Sequence, residues 1–222
     1  MRIRIRFARN ERVKFLGHLD IMRSFQRAFN RAGVAMIYSE GYSPHQKMNF
    51  AQPLGVGVLS SGDYLDAEIE DGQDIGAVRE ALSEQMGEGF EVLSCGILEE
   101  NAEKCMAAVR YASYIITVNE GAVPSISQFT EAEQVIASKK TKSGEKDTDI
   151  RPLVISMESC GNDITMIVCA GSNNNLKPEL VMQVLCSQCG ITYERSSFSV
   201  RRLELYAEGY IPLSSYQTVS NE

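Results

Sequence analysis

No stretch of this chain approaches the roughly 18 to 20 apolar residues that a membrane-spanning helix needs. The opening Met1-Arg-Ile-Arg-Ile-Arg-Phe7 sets a charge at every second position, so it holds no apolar signal-peptide region. The expected setting is the cytoplasm, away from any membrane. Cysteines at 95, 105, 160, 169, 186 and 189 follow no framework spacing, and reduced thiols are the expectation. The one C-x-x-C, Cys186-Ser-Gln-Cys189, lacks a second pair, and the only histidines, His18 and His45, stand far upstream, so a zinc site lacks ligands. The motif also follows the apolar run Leu180–Leu185 and closes a helix, whereas redox pairs open one. Phosphate-cradling glycine loops, G-x-S-x-G, H-E-x-x-H and the Cx3Cx2C spacing of a radical-SAM cluster are all missing. No metal or cofactor is expected.

What remains is an ordinary globular composition, 44% hydrophobic and 23% charged over 222 residues. That length suffices for one large core or two of about 100 residues each. The net charge of −7 is divided unevenly. Residues 1–50 hold ten Lys and Arg against three acids, whereas residues 51–100 hold one Arg against twelve acids. Either the fold segregates these charges into a positive face, or it averages them, or one copy docks on another.

Strict alternation over Arg2–Phe7 predicts a half-buried strand with Ile3, Ile5 and Phe7 on one side and Arg2, Arg4 and Arg6 on the other. Leu19, Met22, Phe25, Phe29 and Ala32 predict a helix over Leu16–Ala32, stopped by Gly33. A strand over Val34–Tyr38, a turn-rich passage over residues 39–62, a strand over Tyr64–Ile69, a helix over Ile75–Met86 and a strand over Phe90–Leu98 follow. This is the order of a ferredoxin-like βαββαβ unit. Glu99–Lys104 is a polar joint. The second half repeats the order: strands at Tyr111–Val118, Leu153–Glu158, Ile164–Ala170 and Ser197–Tyr206, with helices at Ser125–Ala137 and Pro178–Leu185. The expectation is thus an α+β chain of tandem ferredoxin-like units at 1–100 and 105–212, antiparallel sheets with helices on one face. A polar loop at Lys139–Lys146 and a frayed tail at 213–222 complete it.

If helices cover only the Ile3 face, Arg2, Arg4 and Arg6 line an open platform for phosphates. An exposed face must be polar in any case, and arginine satisfies that too. Gly17 and His18 enter the first helix, where unpaired amides attract anions, and Asp20 suits the dipole or orients the ring. A histidine there is more often a cap or packing residue than a catalyst. Arg23, Arg27 and Arg31 repeat every four residues as a basic stripe, the usual look of a solvated face. The loop Tyr38-Ser-Glu-Gly-Tyr-Ser-Pro-His-Gln-Lys47 offers Tyr42 for stacking and His45 and Lys47 for phosphate, with Gly41 and Pro44 shaping the turn. His18 and His45, if they meet, would suit metal-free RNA cleavage.

The segments Val13-Lys-Phe-Leu-Gly-His-Leu-Asp-Ile-Met-Arg23, Arg27-Ala-Phe-Asn-Arg-Ala-Gly33 and Tyr38-Ser-Glu-Gly-Tyr-Ser-Pro-His45 closely resemble the radical-SAM-linked family of uncharacterised bacterial proteins. That family usually reads F-L-S-H-L-D, so Gly17 stands in for a small hydroxyl residue, and Tyr42 is the aromatic of its G-[FY]-x-P. Asp149-Ile-Arg-Pro152 and Arg201–Tyr206 resemble its C-terminal elements. The resemblance implies a partnership with a radical-SAM protein encoded beside or fused to it, often near RNA-processing genes, and no established activity. Tandem ferredoxin-like units are also similar to CRISPR repeat RNA endonucleases, at the level of fold alone. The first expectation is an accessory RNA-binding module presenting tRNA or rRNA to a radical-SAM modification enzyme. The alternatives are a metal-independent endoribonuclease using His18 and His45, and a protein-docking subunit that binds no nucleic acid.

Overall fold

A computed structural model describes residues 1–141, 144–172 and 174–218. The chain is α+β and divides into two units, one of Met1–Val109 together with Glu204 onward, the other of Arg110–Leu203.

The first unit begins with β1 (Arg2–Arg9) and α1 (His18–Arg31), then β2 (Met48–Phe50), β3 (Leu59–Glu68), α2 (Ile75–Gln85), β4 (Phe90–Leu98) and the single turn α3 (Cys105–Ala108). Its strands lie in the order β4-β1-β3, antiparallel throughout, with β2 on the outer side of β3. Alternation in β1 sends Ile3, Ile5 and Phe7 into the core, where they meet Ile21, Phe25, Ala28 and Phe29 of α1. Phe25 is the hub, with ring centroids 4.7 Å from Phe7, 5.7 Å from Phe50 and 6.0 Å from Phe90. The buried stripe of α1 is therefore 21-25-28-29, the i, i+4, i+7, i+8 spacing of one helical face. Leu19, expected in the core, is 58% exposed. Gly33 ends the helix at φ 68°, with Val34 N donating to Phe29 O and Gly33 N to Asn30 O, a Schellman closure.

The strand expected at Val34–Tyr38 is reduced to isolated bridges, Met36 to Ile69 and Tyr38 to Gln46. β2 lies instead inside the passage expected to be turns, and β3 begins five residues early, at Leu59. Ser60, Ser61 and Gly62 look like loop residues, but pairing with β1 holds them in the ladder's irregular end.

The second unit holds β5 (Tyr111–Val118), α4 (Ser127–Glu131), β6 (Ile136–Thr141), β7 (Gly144–Asp149), β8 (Val154–Cys160), β9 (Asp163–Cys169) and α5 (Pro178–Gln188), and β10 (Phe198–Tyr206) starts within it. Its strands run in the order β10-β5-β9-β8, with β5 and β8 both antiparallel to β9. The expected helix over Ser125–Ala137 shrinks to five residues, and β6 begins at its far end. The expected loop at Lys139–Lys146 is mostly the β6–β7 ladder, and residues 142–143 lie outside the described residues.

β11 (Gln217–Thr218) pairs with β4 in the first unit. Leu213 is fully buried, so the stretch through residue 218 is anchored rather than frayed, and residues 219–222 lie outside the described residues. Among the described residues no helix is long and apolar enough to cross a membrane.

Candidate functional site

Register decides the fate of the β1 arginines. β1 pairs antiparallel with β3 so that Arg2 faces Glu68, Arg4 faces Asp66 and Arg6 faces Tyr64. Arg4 is 1% exposed. Its Nε and Nη2 donate to the two oxygens of Asp66 at 2.7 and 3.0 Å, while Nη1 and Nη2 also reach Leu213 O and Glu103 O at 3.2 and 3.0 Å. Burial works against the guanidinium charge, but the hydrogen bond and charge of Asp66 outweigh it, and the Arg4 pKa is raised. Arg9, equally buried, pairs with Asp63 at 2.9 Å. Arg6 lies 3.0 Å from Glu204, whose other oxygen accepts from Tyr64 Oη at 2.6 Å. Arg2 donates to the carbonyls of Glu99 and Ala102.

The open arginine platform is thus corrected. α3 and the 3-10 turn at Leu213–Tyr216 bring their backbones onto the face expected to be free, and Arg4 is out of reach of any phosphate. Basic residues of 1–50 close on acids of 51–100 in four ion pairs: Arg4–Asp66, Arg9–Asp63, Arg12–Glu88 and Lys47–Glu68. The opposite charges of the two segments are thus partly paired off. The signal was present in the sequence, as Arg2, Arg4 and Arg6 alternate in phase with Tyr64, Asp66 and Glu68.

The two histidines stand at opposite ends of α1. His18 opens the helix, exposed, with its ring edge-on to Phe50 at 5.2 Å. His45 closes a loop: Ser39 N donates to His45 O at 2.8 Å, His45 N donates to Ser39 Oγ at 3.1 Å, and His45 Nδ1 lies 2.8 Å from that hydroxyl. The next residue, Gln46, donates to Asn30 Oδ1 at 2.7 Å. Asn30 is twelve residues beyond His18, about 18 Å along the axis at 1.5 Å per residue. Among the described residues no hydrogen bond or ring contact joins the two imidazoles. A cleft of about 600 Å³ in this unit is lined by Met1, Arg2, Ile37, Glu68, Asp71, Leu98, Glu100 and Lys104, and neither histidine is among them.

The remaining candidates are spread over the helix and its loops. Arg23 sits 3.6 Å from Asp20, one turn earlier, and Arg31 donates to Gln85 O at 2.5 Å. Arg27 is exposed, with neither hydrogen bond nor ion pair among the described residues. Lys47 lies 3.3 Å from Glu68. Gly41 takes φ 109°, Pro44 is exposed, and Tyr42 stands fully in solvent at the loop tip.

The structure also exposes apolar side chains that the sequence reading had not used as a site. Phe15 is 71% exposed, Leu19 58% and Val56 60%. Gly57 N donates to Lys14 O at 2.7 Å, which sets the loop carrying Val56 beside the loop carrying Phe15. Lys14 Nζ lies 5.2 Å above the Phe15 ring. The entry to α1 thus carries exposed apolar side chains before the helix, at Phe15, and in its first turn, at Leu19, with the Val56 loop tied to Lys14. The sequence pattern set Leu19 on the apolar stripe with Met22 and Phe25, whereas the buried stripe is 21-25-28-29.

A family model described as "Uncharacterized protein conserved in bacteria (DUF2344)" matches residues 2–178. No match was found among curated proteins. A solved chain from "Crystal Structure of a Cbf5-Nop10-Gar1 Complex" is similar at 12% identity and a TM-score of 0.49. The match covers 93% of this chain and 50% of that one, so this chain spans about half its length.

Proposed function

We propose that this chain, which belongs to the bacterial DUF2344 family, is a non-catalytic docking subunit that seats the entry of α1 on a partner protein. One observation carries the reading: three large apolar side chains are held in solvent, Phe15 and Val56 on two loops tied together by a backbone hydrogen bond and Leu19 in the first turn of α1. Leaving such residues exposed is unfavourable by about 1.5 to 3 kcal/mol each relative to burial, which is the driving force a partner would release. The resemblance of the Phe15–Asp20 segment supplies the partner class, a radical-SAM protein, and a cytoplasmic setting agrees with it. The strand orders β4-β1-β3-β2 and β10-β5-β9-β8 support reading each unit as ferredoxin-like.

The test is co-purification with a radical-SAM protein from the same bacterium. Phe15→Asp with Leu19→Asp should abolish it while leaving the melting temperature within a few degrees of wild type, since both side chains are exposed. Retention of the double variant at wild-type yield, or no retention of the wild type, overturns the reading.

A second reading keeps the RNA-binding accessory module that presents RNA to the same enzyme. It is favoured by Arg27, which no acid neutralises, and by Tyr42, free to stack on a base. A metal-independent endoribonuclease would need His18 and His45 in one site, and among the described residues no hydrogen bond or ring contact joins them.

A further inference from the structure

The second unit ends in a strand with one side unmatched. β8 reads Val-Ile-Ser-Met-Glu-Ser-Cys, pairs with β9 alone and closes the strand order. Only Val154 is buried; Met157 is half-buried and the other five residues are exposed, Ile155 at 40%. Arg151 Nη1 donates to Val154 O at 3.1 Å, so the strand's first carbonyl is taken. From Ile155 to Cys160 no strand among the described residues lies along the far side. Proteins blunt such edges with lysine, proline or a covering helix, because a row of unpaired N–H and C=O groups is a template for another strand. Here Ile155–Cys160 contains no Lys, Arg or Pro, and its single charge is Glu158. The register shift between Val154 and Ser156 guards only the start.

We propose that this edge is a homodimer interface, on which β8 of a second copy adds in the antiparallel sense about a two-fold axis through Met157. The register follows from backbone geometry. Alternate residues of a strand point N–H and C=O to the same neighbour, so symmetric antiparallel pairing sets each residue opposite one of its own parity, and the axis must pass through a residue. An axis at Met157 gives the longest overlap of Val154–Cys160 with itself. It sets Met157 against Met157, Ser156 against Glu158 and Ile155 against Ser159. The charge pattern suits a second copy: the carboxylate of Glu158 meets a hydroxyl, and no like charges fall directly opposite. Ile155 comes diagonal to Met157 of the other copy, giving the exposed Ile155 and the half-buried Met157 an apolar neighbour. So short an interface is a weak one, with a dissociation constant on the order of micromolar.

Sedimentation equilibrium of the whole chain at about 10 to 200 micromolar and about 0.15 M salt, where the −7 net charge is screened, measures it. Wild type should show a monomer–dimer equilibrium. Met157→Lys sets two ammonium groups opposite each other and should weaken the dimer at least roughly tenfold. Met157→Glu should do the same, and a mixture of the two variants should recover a heterodimer. Ser156→Lys, at an exposed position, faces Glu158 twice and should tighten the dimer by roughly three- to tenfold. A wild type that stays monomeric over the range, as it would if the edge served a foreign peptide, overturns the proposal. So does a dimer indifferent to all three substitutions.

Discussion

Asp66 gathers three parts of the chain. It holds Arg4 across the strand pair, and its Oδ2 accepts from Cys105 N at 2.7 Å. With Arg4 and Asp66 both nearly out of solvent, losing one member leaves the other charge buried and unpaired, so Asp66→Asn should reduce the unfolding free energy by about 3 to 5 kcal/mol in urea titrations. A loss below about 1 kcal/mol would mean that water reaches the guanidinium. Beside it, burial pushes the Cys105 thiol up to about 12, and burial does the same for Cys95. Both should resist iodoacetamide at about pH 8, close to the usual thiol pKa, while the exposed Cys160 and Cys189 react, as peptide mass mapping will show. The sign of the linkage follows. The unfolded thiols lose protons near the usual 9 and the folded ones near 12, so the unfolded state binds fewer protons between these values. Stability contributed by the two thiols is full below about pH 9 and is lost as pH rises towards 12.

At the scale of elements, α1 is the organising piece. Its inner stripe builds the aromatic core, and its exposed side carries His18, Leu19, Arg23 and Arg27, while Phe15, Tyr42 and Val56 stand on loops outside it. The helix stops cleanly because Gly33 accepts φ 68°, with no atom within 4 Å of where a Cβ would stand. Gly33→Ala therefore meets no clash, only the strain of the left-handed backbone, and should lower the unfolding free energy by about 1 kcal/mol. A neutral effect in thermal melts would show that the closure can relax. The strand that followed in the expected order was the least legible piece. Val34–Tyr38 has strand-like residues, but the chain spends its backbone hydrogen bonds on single bridges and on the Ser39–His45 closure, leaving the ladder position beside β3 to Met48–Phe50.

For the molecule as a whole, the charge ledger sets the limit on any polyanion. An acidic chain of pI about 5.1 whose β1 arginines are held by acids or carbonyls has, in its helical stripe, Arg27 exposed with neither hydrogen bond nor ion pair among the described residues and Arg23 exposed 3.6 Å from Asp20. RNA binding, if measured by filter retention across salt concentrations, should show a log–log slope of about −2, not the −6 or steeper of the full arginine set. A steep slope would restore the broader basic face.

Sequence alone determined the α+β class, the core face of β1, the span of β4 and β5 and the place of the C-x-x-C at a helix end, because each is written in local periodicity and in capping residues. Tertiary structure decided the rest. Which strand lies beside β1, and in which register, is a long-range choice, and it turned Arg4 from a platform residue into the buried partner of a carboxylate 62 residues away, set Arg6 against Glu204 and tied Arg2 to backbone carbonyls. Leu19, Phe15 and Val56 show the converse: their hydrophobicity is visible in the chain, but whether a side chain is covered depends on what folds over it.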